Sequence, residues 1–269
     1  MNRVLRLLSV ASLVGPFVGA SVCLGRTTTG GNQLPLPRIT QSARSQYVGV
    51  LVWHDVLPRR QVWFDTPLAI FKAQMEAIHR GHFQVVSLDA LKEHLTRGAP
   101  LPPRPLVITF DDNNRGIYRY AFPLLKQYGY PATLFVHSDY VGVTTSKEHC
   151  DWTELAEMQR SGLIGIQSLT ASHPPDIRRL PDALMLKELG DSRAAIQKRL
   201  GKPVYAFVYP EDNYDERAAR LVRKAGYQLA FTEDWGNAGA SPNLMMIHRY
   251  SILKRFAQAL GDVKRAYDH

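Results

Sequence analysis

The chain has 269 residues, 45% hydrophobic and 21% charged, a composition that excludes a disordered or collagen-like polypeptide and suits one packed domain. Its formal charge of +9 would fit an anionic partner, but the basic residues are scattered and no basic run alternates with aromatics, so nucleic acid is excluded as the leading partner. Only Cys23 and Cys150 are present, too few for a disulfide framework.

At the N-terminus, Arg3 and Arg6 precede the apolar run LLSVASLVGPFVGASVCLG, and Val18 and Ala20 supply the small residues of a cleavage site before Ser21. Residues 1–25 are therefore expected to be a signal peptide, with an uncleaved membrane segment as the second choice. The protein is accordingly expected to be exported to the periplasm, the cell envelope or the medium. Residues 26–46 carry Gly, Pro, Thr and Ser with little apolar periodicity and read as a flexible linker, a membrane tether if the leader is retained. Residues 47–269 read as the folded domain.

From Tyr47 onward, short β-branched runs alternate with helical-period segments. YVGVLVWHDV is followed by LAIFKAQMEAIHRG, FQVVSL, DALKEHLTRG and PLVITF. The pattern continues through IYRYAFPLLKQYG, PATLFVH, DWTELAEMQRSG, IGIQSL, a long helical span from Pro181 to Leu200, VYAFVYP, DERAARLVRKAG, QLAFTED, MMIHRYSI and a last helix near the C-terminus. Gly81, Gly129, Gly162, Gly201 and Gly226 stand where helices should close in the left-handed conformation. About seven βα units without a Gly-rich phosphate fingerprint predict a deformed (β/α) barrel of about seven parallel strands rather than a doubly wound sheet.

In such a barrel, chemistry gathers at the carboxyl ends of the strands. Polar residues fall there: His54 and Asp55 after GVLVW, Asp111 and Asp112 after LVITF, His137 after ATLFV, Ser168 to His173 after IGIQ, Tyr209 after VYAFV, and Glu233 with Asp234 after LAFT. Adjacent carboxylates beyond a buried strand repel each other unless a cation, a hydrogen-bond cluster or a proton separates their roles. A divalent metal provides that separation, one carboxylate binding the ion while the other accepts a proton from water. The competing reading is an Asp–Asp turn capping the helix that starts near Ile117.

The run LVITFDDNNRGIYRYAFPLLKQYGYPATLFV resembles the first motif of polysaccharide deacetylases, the carbohydrate esterase family built on the nodulation-type homology domain. The resemblance extends upstream to GVLVWHDV and downstream to HRYSI, with closest likeness to the branch acting on poly-N-acetylglucosamine and related exopolysaccharides. It implies removal of acetyl groups from an envelope or matrix polysaccharide, with acetylated polysaccharide or oligosaccharide as partner and a divalent metal as cofactor, zinc first, nickel or cobalt otherwise. By this resemblance Asp111 is the general base, Asp112 and His173 are metal ligands, and His248 in MMIHRYSI is a candidate proton donor to the leaving amine. His54, Asp55, Tyr209 and His137 are expected to support the site or bind substrate.

The sequence also departs from the family pattern. Leu169 stands in SLTASHP where the first ligand histidine belongs, Asn113 replaces the Gly after the Asp pair, and VYPE lacks the Arg that orients the base. Leucine cannot ligate a metal, so Asp112 and His173 alone make a thin, weak site unless His54 or His137 completes it. The alternative function is a catalytically inactive domain that binds polysaccharide through the old groove. Trp152 and Trp235 are candidates to stack on sugar rings.

Overall fold

The computed structural model of the chain describes residues 35–253 and 255–268, so the expected leader and the first part of the expected linker lie outside the described residues. Residues 35–46 do not form a tether. Thr40 caps a short helix, α1 (Gln41–Ser45), by accepting the amide of Ala43, and Ile39 and Ala43 are buried against the domain. The amide of Thr40 donates to the carbonyl of Leu95, and that of Leu244 to the carbonyl of Pro37. The polar residues between Leu36, Ile39 and Ala43 masked apolar side chains whose partners exist only in tertiary structure.

The first strand, β1 (Gly49–Trp53), is separated by His54 from β2 (Asp55–Leu57), which pairs in parallel with β3 (Asp65–Pro67). Next come α2 (Leu68–Arg80), β4 (Gln84–Val85), α3 (Leu88–Arg97), β5 (Pro105–Phe110), α4 (Phe122–Tyr128), β6 (Ala132–Val136) and α5 (Trp152–Arg160). The chain ends with β7 (Ile164–Ser168), α6 (Asp182–Leu200), β8 (Ala206–Val208), α7 (Glu216–Lys224), β9 (Leu229–Phe231), β10 (Tyr250–Ser251) and α8 (Phe256–Arg265). Among the described residues no helix is long and apolar enough to cross a membrane.

Strands β1, β5 and β6 are buried at every position, as unbroken apolar runs must be when helices cover one face and a curled interior the other. The main sheet runs β10-β1-β5-β6-β7-β8-β9, with β4 attached to β5. Its seven strands are parallel and curl as the βα alternation predicts. A single extended segment completes the curl: Ile247 bridges to Phe231 of β9, and Tyr250 and Ser251 then pair with Leu51 and Val52 of β1. The deformation lies between β7 and β8, which pair only at Ser168 and Phe207. Beside that pair the Gln167 side chain takes over the bonding, its Oε1 accepting the amides of Tyr205 and Ala206.

Helix ends follow local chemistry. Asp151 and Glu154 form a reciprocal capping box on α5, and Ser87 and Asp215 cap α3 and α7. Gly129, Gly162, Gly201 and Gly226 take φ values of 66°, 77°, 67° and 92°, the left-handed closure expected of them. Gly81 does not: it stays at −76° and the left-handed turn falls on His82. Because every strand pairing is parallel, the carboxyl ends lie on one face, and the polar residues meet there.

Candidate active site

A cavity of about 290 Å³ opens at that face. Asp111 and Asp112 enter it from the end of β5, His173 from beyond β7, and His54 and Glu233 from the ends of β1 and β9. Among the described residues eight non-glycine positions have positive φ; Asp112, His173, Glu211 and Asp212 line this cavity, and Asn113 and Thr170 directly follow lining residues. Left-handed backbone at such residues costs energy, and its concentration at one place is the usual mark of a functional site. Asn113, at φ 41°, takes the conformation for which the family pattern uses Gly, and its Oδ1 accepts the amide of His137. The segment that precedes α5 holds this turn in place. Cys150 N–H donates to the carbonyl of Asn113, and His149 Nδ1 donates to that of Asp112 at 3.1 Å.

Asp112, His137 and His173 present donor atoms that all lie within 4.8 Å of one another. A tetrahedral zinc with bonds of about 2 Å wants donors roughly 3.3 Å apart, which small side-chain rotations supply. The hydrogen bonding of His137 tests the fit. Its Nδ1 lies 3.1 Å from the carbonyl oxygen of Leu169, which can only accept, so Nδ1 carries the proton. In the neutral ring Nε2 then has a lone pair aimed at Asp112 Oδ1, 3.0 Å away. Two lone pairs face each other unless a proton or a cation lies between them, so the donor set fits a divalent metal.

The electrostatics agree. Burial would raise the Asp112 carboxyl, but the His137 hydrogen bond and the imidazoles of His54, His137 and His173 outweigh it and hold it below the usual carboxylate range. Burial and the repulsion of His137 lower His173 to about 4, leaving a neutral imidazole at physiological pH. Leu169 offers no donor to this cluster, whose third member, His137, follows the neighbouring strand β6. Leu169 itself is buried, and its contribution is the main-chain carbonyl that orients His137.

Beside this trio a second one, His54, Asp111 and Glu233, is equally close, but both oxygens of Asp111 are engaged by Arg249 at 2.9 and 2.7 Å. Arg249 is fully buried, with its guanidinium 5.9 Å from the Phe135 ring and its Nε donating to the carbonyl of Thr232. Burial raises the pKa of Asp111 against the pull of this cation, moving the carboxylate toward the range a proton acceptor needs. In place of the arginine missing from VYPE, Arg249 comes from the segment that runs between β9 and β1. His54 Nε2 lies 3.3 Å from Glu233 Oε1. Burial pulls the imidazole down, but Glu233 and the carboxylates of Asp112 and Asp111 overcome it and raise its pKa to about 9, while burial of Glu233 is outweighed by His54 and leaves its carboxyl at about 2. The pair is ionic at neutral pH.

Other expected residues lie elsewhere. His248 does not line the cavity: in an extended segment neighbours face opposite ways, and because Arg249 points inward, His248 packs beside Gly236 with its amide on Ser241 Oγ. Asp55 likewise turns away from the cavity that its neighbour His54 enters. It is buried in an ion pair with Lys147 Nζ at 2.8 Å, which also reaches Asp65 at 2.6 Å. Tyr209 lines the wall, but its hydroxyl is spent on the carbonyl of Met245. Trp152 lies against Arg199 and Trp235 against Tyr250, both away from the cavity. Sequence reasoning missed Lys147 and Trp63, neither of which belongs to a motif or a periodic run.

The sequence profile of polysaccharide deacetylases matches residues 98–230, the stretch that carries Asp111, Asp112, His137 and His173. Over that stretch, 133 of its 269 residues, the chain is similar to the polysaccharide deacetylase family. Among relatives of this family, YxkH of Bacillus subtilis (strain 168), which bears the polysaccharide deacetylase name, is 26% identical over 76% of this chain and 70% of its own. The poly-β-1,6-N-acetyl-D-glucosamine N-deacetylase of Staphylococcus aureus (strain N315) is 28% identical over 60% of this chain, a match that spans 59% of that enzyme. IcaB from Ammonifex degensii shares the fold with a TM-score of 0.74 at 24% identity, over 81% of this chain and 97% of that one. A polysaccharide deacetylase from Bacillus cereus superimposes with a TM-score of 0.69 at 25% identity, over 80% and 69% of the two chains.

Proposed function

We propose that the chain is a metal-dependent N-deacetylase of an extracellular polysaccharide, with Asp112, His137 and His173 as the metal ligands. The observation that carries this reading is the convergence of the Asp112, His137 and His173 donor atoms within 4.8 Å of one another, with the Leu169 carbonyl holding His137 so that its Nε2 faces the Asp112 carboxylate. A divalent cation held there, zinc by the nitrogen-rich donor set or else nickel or cobalt, supplies Lewis acidity that polarises the acetyl carbonyl and acidifies nearby water.

The chain's own residues supply the proton transfers. Asp111, fixed by the two Arg249 bonds, accepts the proton of the attacking water as its oxygen adds to the acetyl carbon. His54, kept protonated by Glu233, donates to the nitrogen as the carbon–nitrogen bond breaks, giving acetate and the free amine of the sugar. This role replaces the one expected of His248. Arg249 holds Asp111 in position while the strained turn at Asp112 and Asn113 points the adjacent carboxylates to separate tasks.

Poly-β-1,6-N-acetylglucosamine is the substrate class we favour, because a relative sharing this stretch is named for that activity. The leader-like residues 1–25 support export to the compartment where such polymers lie. The test is acetate release from a β-1,6-linked N-acetylglucosamine oligomer by metal-stripped protein before and after zinc, nickel or cobalt is restored. The reading expects release only with metal and none from Asp111→Asn. Equal turnover without metal, or full activity in Asp111→Asn, would overturn it.

A further inference from the structure

Trp63 is 73% exposed, well beyond the other exposed large hydrophobic residues among those described, yet it and Phe64 line the same cavity as Asp111, Asp112 and His173. A large apolar side chain left in water at the mouth of a polar cavity is informative, because its burial is worth several times what a small residue gains. The indole packs edge-on against Phe64, with centroids 5.5 Å apart and planes at 87°, and Phe64 in turn lies 5.8 Å from the His54 ring. One aromatic ring, Phe64, thus separates the indole from His54, the proposed proton donor.

The loop that carries Trp63 is built to hold it still. It folds around the carboxylate of Asp65, whose Oδ2 accepts the amides of Gln61 and Val62, each at 2.9 Å. The Asp65 carbonyl takes Arg60 Nε, and its Oδ1 binds Lys147 Nζ at 2.6 Å. Lys147 closes the arrangement on Asp55, and Gly116 permits it, since a Cβ there would lie 2.2 Å from Asp55 Oδ1. A largely covered lysine side chain between two buried carboxylates fixes the loop to the ends of β2 and β3. The exposure of Trp63 is therefore a feature of a rigid loop rather than of a loose one.

We propose that Trp63 is a specificity-determining platform on which the pyranose ring next to the acetylated sugar stacks, so that the enzyme takes a chain in preference to a single unit. The inference rests on the deacetylase reading. A pyranose presents an apolar face of C–H groups and a polar rim. The former matches an exposed indole on a held loop and the latter matches the carboxylates and imidazoles of the cavity. Stacking on an aromatic plane tolerates variation in the polymer, and it costs little ordering because the loop is already held.

The experiment compares the full chain with Trp63→Ala and Trp63→Phe. The ratio of kcat/KM on a β-1,6-linked N-acetylglucosamine oligomer to that on p-nitrophenyl acetate should fall about tenfold in Trp63→Ala, through KM, and recover most of the way in Trp63→Phe, the scale of one aromatic contact. Metal-free wild type titrated with the oligomer should show a saturable change in indole fluorescence that Trp63→Ala lacks, and this reads stacking even if no acetate is ever released. An unchanged ratio, an equal loss on both substrates, or a fluorescence titration that survives in Trp63→Ala would overturn the proposal. Absence of acetate release by wild type, with the fluorescence change present, would sink the deacetylase reading and leave the platform standing.

Discussion

On the proposed reading His137 is the third metal ligand, oriented by the Leu169 carbonyl, while the Leu169 side chain offers no donor. Replacing Leu169 with histidine, which would complete a two-ligand site, should now change zinc affinity little, because His137 already fills the third position; calorimetric titration of Leu169→His and wild type checks this. Asp111→Asn is expected to lose acetate release and to lose stability as well. It removes the carboxylate from a fully buried Arg249, and breaking a buried pair from one side costs about 3–5 kcal/mol. Thermal denaturation should show that loss, and Asp111→Asn combined with Arg249→Met should regain stability without regaining activity. The His54–Glu233 pair gives the metal-free protein a pH signature. The raised pKa of His54 contributes stability that is full below 6.5 and lost as pH rises through about 9, whereas the lowered Glu233 contributes above 4.5 and is lost as pH falls through about 2. Melts of metal-free protein across the alkaline window should fall in wild type and flatten in His54→Gln.

At the scale of elements, the cavity depends on two connections that are not strands. The loop between β2 and β3 carries Trp63, and the segment before α5 carries Lys147 to Asp55 and Asp65 and His149 to the Asp112 carbonyl. Lys147→Met leaves two buried carboxylates facing each other without a cation. It should cost about 3–5 kcal/mol at neutral pH and less in acid, where one carboxyl takes up a proton; melts at two pH values measure the difference. The strands themselves were legible in the sequence because parallel strands covered on both faces must be unbroken apolar runs, and PLVITF and ATLFV are such runs. The β2–β3 pair was not, since three-residue strands carry no period, and MMIHRYSI yields only Tyr250 and Ser251 as a strand because it crosses from β9 to β1.

For the molecule as a whole, the barrel explains which site residues could be read and which could not. Asp111, Asp112 and His173 lie in motifs whose spacing is fixed by one strand end each, so their presence in the sequence announced them. His137 was legible too, from its place after ATLFV, whereas Arg249 reaches the site from another segment, and closure of the sheet brings it beside Asp111 across 138 positions of sequence. No local pattern records that distance. Nor does any pattern mark Trp63, an exposed loop residue whose meaning lies in what it stands beside. Export belongs to this scale too: N-terminal sequencing of protein recovered from the envelope should begin at Ser21, and a start at Met1 would favour a retained anchor.

The central claim is that a metal sits among Asp112, His137 and His173. The most direct measurement is zinc titration of metal-stripped wild type and His137→Ala by calorimetry. Wild type should bind about one zinc per chain, and His137→Ala should bind at least about a hundredfold more weakly, since one ligand of a zinc site is worth a few kcal/mol. Equal affinities in the two proteins would contradict the account.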